Sequence, residues 1–81
     1  MRIATTDTER KALEDQIRQD GAHLIVRGKN GLIMAVETRP TRAELNAPRA
    51  AATMDSRFND DRIFVTVIKD GSLDHHEEIA H

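Results

Sequence analysis

The segment from Ala22 to Thr38 constrains the fold more than any other part of the chain. It consists of two apolar, strand-like runs that flank the turn sequence GKNG at residues 28–31. Two such runs joined by a short loop containing Asn-Gly are typical of a β-hairpin. A hairpin sets the register between its strands, and the register decides which side chains face the core. The hairpin therefore determines which face of the sheet the later elements can cover.

Two loop lengths are compatible with the turn, and they give opposite registers. A two-residue loop, Asn30-Gly31, places Leu24 and Val26 on one face together with Ile33, Ala35 and Glu37. A three-residue loop, Lys29-Asn30-Gly31, places them with Leu32, Met34 and Val36. Only the second register makes one face wholly apolar. We therefore predict the three-residue loop, which leaves Ile25 and Ile33 on the outer face.

Capping patterns predict where two helices begin. Thr6 and Glu9 fit a capping box, and we expect helix 1 at about 7–20. Thr41 and Glu44 fit a second capping box, and we expect helix 2 at about 41–58 with an inner stripe of Leu45, Ala47, Ala51, Met54 and Phe58. Because a proline inside a helix costs ~3 kcal/mol, an alternative is one separate turn at 41–46 and a helix that begins near Pro48, capped by Asn46.

The order of the elements predicts an α+β fold. A short strand is possible at 2–5, and Arg62–Lys69 is a third strong strand that ends at Asp70-Gly71. The order (β)αββαβ predicts two helices packed on one face of a three- to four-stranded antiparallel sheet, as in ferredoxin-like folds. We expect a single domain at 1–71 and an acidic, His-containing tail at 72–81 that is poorly ordered or a short helix.

The predicted open face of the sheet carries an apolar patch. With both helices on one side, the other side faces water and is expected to be polar. In the predicted register it instead holds four large apolar residues: Ile25, Ile33, Phe64 and Ile68. A contiguous apolar patch on a small protein usually marks an interface. We therefore predict a homodimer that associates through this sheet face or through its edge strands. The alternatives are that the C-terminal tail folds over the patch or that one strand presents its other face.

Composition narrows the classes of protein further. The 81 residues include no cysteine, and no apolar run approaches the ~20 residues of a membrane helix, so we expect a cytoplasmic protein without disulfides. The net charge of −2 gives no general attraction to nucleic acid. The segment 39–62 is nevertheless rich in arginine, and four of these residues are candidates for an anion or partner contact: Arg39, Arg42, Arg49 and Arg57.

Candidate catalytic and metal-binding patterns are weak. The pair His76-Glu77 begins a His-Glu-x-x-His zinc motif, but Ala80 stands where the second histidine is required. The GKNG loop matches the GXXG loop of KH domains, yet KH domains need a helix directly after it and the sequence here is strand-like. Outside the tail His23 is the only histidine, and no pattern places a serine beside it. We expect no enzyme, no metal and no cofactor.

These observations favour a small non-enzymatic interaction protein that binds and modulates a larger macromolecule. Inhibitor proteins of the kind carried by phages and mobile elements have this profile of size and missing chemistry. One alternative is a nucleic-acid-binding or regulatory module that uses the arginines between Arg39 and Arg62. Another is a small-ligand-sensing domain of the ACT-like kind, which rests on fold analogy alone.

Overall fold

The computed structural model describes residues 1–54, 63–70 and 72–79, leaving aside the side chains of 74, 75 and 77–79. In chain order the elements are β1 (Arg2–Ile3), α1 (Asp7–Ile17), β2 (Ala22–Gly28), β3 (Ile33–Thr38), α2 (Arg42–Asn46), α3 (Pro48–Thr53), β4 (Ile63–Lys69) and β5 (Ser72–Ile79). The strands form one antiparallel sheet in the order β1-β3-β2-β4-β5. The predicted α+β class is confirmed, and the short N-terminal strand exists.

The sheet has five strands rather than three or four, because the predicted tail contributes the last one. Residues 72–79 form β5, so the prediction of a poorly ordered or helical tail is wrong there, and the sheet does not end at residue 71. Lys69 pairs with Ser72 across the turn, and Asp70 has a left-handed φ of 50°. Asp-Gly is a strong signal for a two-residue hairpin turn. The strand that follows this turn was not predicted because the sequence of 72–79 is mostly polar.

The hairpin between β2 and β3 has the predicted three-residue loop. The Gly31 N–H donates to the Gly28 carbonyl at 2.9 Å, and the Gly28 N–H donates to the Leu32 carbonyl at 3.0 Å. Gly31 has a φ of 82°, in the left-handed region that residues with a Cβ adopt at a cost. The Asn30 Oδ1 accepts from the Leu32 N–H at 3.1 Å and closes the loop. This is a type I turn ended by a glycine bulge.

A second bulge, at Met34, overturns the predicted sorting of side chains. Arg27 pairs with Ile33, but Val26 pairs with Ala35, so Met34 is an extra residue on β3. From this point the register is shifted by one residue, and Leu24 lies opposite Glu37. Since a shift of one residue turns side chains to the other face, the prediction is wrong for Val36, which lies on the other face, and also for Leu32, which is exposed. Met34 packs with Leu24 and Val26 as predicted.

Both faces of the sheet carry an apolar core. On one face the buried residues are Leu24, Val26, Ala35, Ala52, Ile63 and Val65, with Ile3, Met34 and Ala51 packed against them. On the other face they are Ala4, Leu13, Ile25, Ile33 and Val36, with Ile17 and Ile68 packed against them. The first set includes α3 and the second includes α1. The helices therefore lie on opposite faces, and the prediction that they share one face is wrong.

The direction of the two helical connections explains this arrangement. β1 and β2 are parallel with β3 between them, and β3 and β4 are parallel with β2 between them. Both connections therefore move the same way across the sheet, but they start from strands that run in opposite directions. Because such crossovers are almost always right-handed, the two helices must fall on opposite faces. In a ferredoxin-like sheet the last strand lies beside the first, so that resemblance is not confirmed.

The second predicted helix is divided, as the alternative with Pro48 anticipated. α2 ends at Asn46, and α3 begins with Pro48 at its first position, where a missing N–H is tolerated. Ala47, rather than Asn46, precedes α3, and it makes no side-chain capping bond. Ala51 packs against the core as predicted, but Met54 is 87% exposed, and Phe58 lies outside the described residues.

α1 begins after Thr6, as its capping pattern predicts, and ends three residues short of the predicted boundary. The Thr6 Oγ1 accepts from the Glu9 N–H at 3.2 Å. The hydroxyls of Thr6 and then Thr5 donate to the Glu9 carboxylate, and these bonds hold the pKa of that carboxyl below its usual value. Within the described ranges, no helix is long and apolar enough to cross a membrane.

The glycine bulge can be tested by substituting Gly31. Gly31→Ala should destabilise the protein by ~1 kcal/mol, because alanine disfavours the left-handed conformation while its Cβ would meet nothing within 4 Å. Gly31→Asn should cost less, since asparagine tolerates this conformation. Urea unfolding of both variants measures the difference. Equal losses would contradict a purely conformational role for Gly31.

Candidate protein-interaction surface

Two residues of the predicted interface are buried inside the protein. Ile25 is 0% exposed and Ile33 is 2% exposed, and both pack with Leu13 of α1. α1 covers this part of the sheet because the crossover from β1 to β2 places it there. The prediction that Ile25 and Ile33 form part of an exposed patch is therefore wrong.

The other two predicted interface residues lie on β4 at the border of the covered region. Phe64 and Ile68 are half-buried, and they share the α1 face of the sheet because Thr66 between them pairs with Ile25. Ile63, Val65 and Val67 alternate with these residues along β4, and all three are buried. β5 extends the same face beyond α1. The β4–β5 surface comprises Phe64, Ile68, Leu73 and His76.

Leu73 is the most exposed apolar residue of the β4–β5 surface. It pairs with Ile68 across the two strands, and 68% of its area is accessible to solvent. Burying a leucine of this exposure would contribute ~1 to 2 kcal/mol to association. An exposed leucine beside a half-buried isoleucine and phenylalanine is an apolar strip that a partner can cover.

His76 is held on this surface by two contacts with β4. Its ring stacks on Phe64 with the centroids 5.7 Å apart and the planes 14° apart. Its Nδ1 is 3.0 Å from the Oγ1 of Thr66, which is almost fully buried. Cross-strand pairs of this kind stabilise the pairing of neighbouring strands. The imidazole is therefore preorganised, with its polar edge and one aromatic face available at the margin of an apolar strip.

β5 is also the outer strand of the sheet. It has eight residues, and in the described part of the sheet it pairs with β4 alone, through seven of them, since a bulge leaves Asp74 without a partner on β4. An edge strand presents a row of backbone N–H and C=O groups to which another strand can be added. The opposite edge is far shorter, since β1 has two residues and the N-terminal ammonium group beside it binds the Glu37 carboxylate at 2.7 Å. The long edge and the apolar strip thus coincide.

The arginines predicted to contact an anion are dispersed along the chain. Arg39 follows β3 with a left-handed φ of 56°, Arg42 is the first residue of α2, and Arg49 lies in α3. All three are exposed, whereas Arg57 lies outside the described residues.

The start of α2 is occupied by its own capping box. The Thr41 N–H donates to the Glu44 carboxylate at 2.8 Å, and the Glu44 N–H donates to the Thr41 hydroxyl at 3.2 Å. A carboxylate of the chain itself therefore fills the place that a bound anion would take. This geometry gives the predicted anion contact at Arg39 and Arg42 no support.

The described residues hold no constellation that resembles a catalytic or metal centre. Among them no three His, Asp or Glu side chains are placed to share a metal ion. His23 is 1% exposed, within the core that α1 covers, and its Nδ1 makes no hydrogen bond. Its cross-strand neighbour is Thr38, whose hydroxyl is likewise without a partner. A histidine buried in this way cannot reach a substrate.

Comparison with protein-family models, curated proteins and solved structures gives no match for this chain.

Sequence reasoning missed Leu73 and His76, which complete the β4–β5 surface. Asp70-Gly71 was the available signal, because this dipeptide joins two strands more readily than it ends a domain. The segment after it alternates too little to be recognised as a strand by its pattern. The β4–β5 surface therefore depends on β5, a strand that its residue pattern does not reveal.

Stability measurements can separate the core positions from the surface positions. Ile25→Ala should destabilise the protein by ~2 to 5 kcal/mol, because it leaves a cavity beneath α1. Leu73→Ala should change stability by less than ~0.5 kcal/mol, because Leu73 is largely exposed. Urea unfolding of both variants provides the comparison. A small effect of Ile25→Ala would contradict the placement of α1 over this face.

Proposed function

We propose that this protein is a small non-enzymatic interaction protein that associates with protein partners through the β4–β5 surface. The observation that carries the proposal is the coincidence of an exposed apolar strip with an eight-residue strand edge. Such a surface offers area to bury and backbone groups to pair, which are the two contributions that β-strand addition uses. The proposed partners are a second copy of this chain and a larger macromolecule whose surface it occupies.

Each part of the surface has a distinct role in the proposed interaction. Leu73 and Ile68 supply apolar area, which gives most of the free energy of association. The edge of β5 fixes the direction and register of the incoming strand. His76, held by Phe64 and Thr66, adds a hydrogen-bonding group at a fixed position. Modulation then follows from occupying the partner's surface, and no reaction is required of this chain.

Light scattering across a concentration series tests self-association. We expect the wild type to exceed the monomer mass and Leu73→Asp to return to it, because a carboxylate on the strip would have to be desolvated at the interface. Leu32→Asp is the matched control, since Leu32 is a 47% exposed leucine on the hairpin and should leave the mass unchanged. A wild type that is monomeric throughout would exclude the second copy as a partner.

Single-cysteine variants test binding of a larger partner, because the natural chain contains no cysteine. A photo-crosslinker on Leu73→Cys should capture a discrete partner that the same reagent on Leu32→Cys does not capture. Competition by unlabelled wild type, but not by Leu73→Asp, should abolish the product. If instead Arg39→Glu or Arg42→Glu removed binding and Leu73→Asp kept it, the proposal would fail and the arginine-based alternative would be favoured.

A further inference from the structure

A pocket of about 260 Å³ opens at the tip of the β2–β3 hairpin, beside the N-terminal half of α1. It is separate in sequence from the β4–β5 surface, since its lining comes from residues 4–34 alone. The pocket combines a polar rim with an apolar floor. Small-molecule sites in proteins have this composition, in which a few polar groups orient a ligand that apolar contacts hold.

Three lining residues carry side-chain hydrogen-bond donors, and together they are called the rim: Arg10, Lys29 and Asn30. The Asn30 Oδ1 accepts from the Leu32 N–H, so its amide nitrogen is directed away from that bond as a donor. Arg10 forms an ion pair with Asp7 through one terminal nitrogen, which leaves its other N–H groups to donate. No acidic side chain lines the pocket. The rim is therefore suited to an anion.

The remaining lining residues, called the floor, are apolar apart from Gly28: Ala4, Leu32, Ile33 and Met34. Ala4 and Ile33 are buried in the core beneath α1, so Leu32 and Met34 give most of the accessible apolar area. Leu32 is exposed at 47% and can be covered by a ligand. Burying an aliphatic chain against these residues contributes favourably to the free energy of binding. A small, fully hydrated anion has no apolar area to bury there and gains no such contribution.

The two bulges of the hairpin lie at the pocket. The bulge at Met34 and the missing side chain of Gly28 let the Met34 thioether approach the turn, since a Cβ at residue 28 would stand 3.1 Å from its Sδ. Bulges often occur beside functional sites, where they redirect a side chain. Met34 and Lys29 both line the pocket.

We propose that this pocket binds a small organic monocarboxylate. The carboxylate is held at the rim by Arg10 and Lys29, and a short aliphatic chain lies on Leu32 and Met34. A guanidinium group suits a carboxylate because it can donate two parallel hydrogen bonds. At about 260 Å³ the pocket has room for a short aliphatic carboxylate, and hexanoate is the probe chosen to test it.

Titration of the full-length, isotope-labelled protein with hexanoate, followed by amide NMR, tests this proposal. We expect saturable shifts in the amides of residues 28–34 and of Ala4. Hexylamine has the same chain with the opposite charge, and acetate has the same charge without the chain, so both should leave these amides unshifted. Shifts located elsewhere, or equal shifts with hexylamine, would overturn the proposal.

Charge-neutralising variants identify the groups that hold the carboxylate. Lys29→Gln and Arg10→Gln should each weaken hexanoate binding roughly threefold to tenfold. Lys11→Gln is the matched control, because Lys11 is an exposed lysine on α1 that does not line the pocket. Asp7→Asn removes the ion-pair partner of Arg10 and should not weaken binding. Equal weakening by Lys11→Gln would indicate general charge attraction and contradict a site at the hairpin.

The proposal for the pocket and the proposal for the β4–β5 surface can be tested independently. Leu73→Asp should leave hexanoate binding unchanged, and Lys29→Gln should leave the mass in solution unchanged. Loss of hexanoate binding in Leu73→Asp would contradict a pocket formed by residues 4–34 alone.

Discussion

The extra residue at Met34 is the constraint on which the packing of the whole molecule depends. Side chains of a strand alternate between faces, so one inserted residue exchanges the faces of everything beyond it. The exchange moves Val36 to the α1 face, where Ile25 and Ile33 already lie, and moves Ala35 to the α3 face with Leu24 and Val26. Without the bulge, α1 would cover the small Ala35 side chain in place of Val36.

The same shift explains the ion pair at the N-terminus. Glu37 is placed opposite Leu24, on the face that α3 covers, where an unpaired carboxylate would be costly. The N-terminal ammonium group lies 2.7 Å from it, because β1 pairs with β3 and carries the start of the chain to this position. β1 buries little apolar area, but it places the N-terminal ammonium group where the charge of Glu37 needs a partner.

Sequence reasoning could predict the turns and caps because these depend on neighbouring residues. The cap at Thr6, the box at Thr41 and the break at Pro48 follow local rules, and the structure contains each of them. Local rules allowed two loop lengths at 28–31, and the three-residue loop that the structure contains was chosen from the apolar pattern of the two strands. The bulge at Met34 carries no local signal, since methionine has no special backbone preference. It is selected by the packing of two helices against two faces, which is a property of the whole chain.

One sequence signal for burial on both faces was present in the central strands. β2 contains a run of four buried residues, His23 to Val26, and unbroken apolar runs are typical of strands covered on both sides. A one-sided sheet alternates polar and apolar residues instead. The interface prediction, by contrast, assumed that one side was open, so it assigned to a partner the residues that α1 covers. Phe64 and Ile68 stayed at the margin because β4 lies farther from α1 than β3 does.

The proposed pocket and the register share a single structural cause. Met34 adds the residue that shifts the strands, and the same side chain forms the pocket wall beside Gly28. A ligand that contacts this wall binds only the bulged form of the hairpin, and ligands stabilise the form they bind. Occupancy of the pocket would therefore resist any slip of β3 back to the unbulged register. Because that register determines which face α1 and α3 can cover, an aliphatic carboxylate bound at the hairpin tip would stabilise the packing of both helices without touching α3.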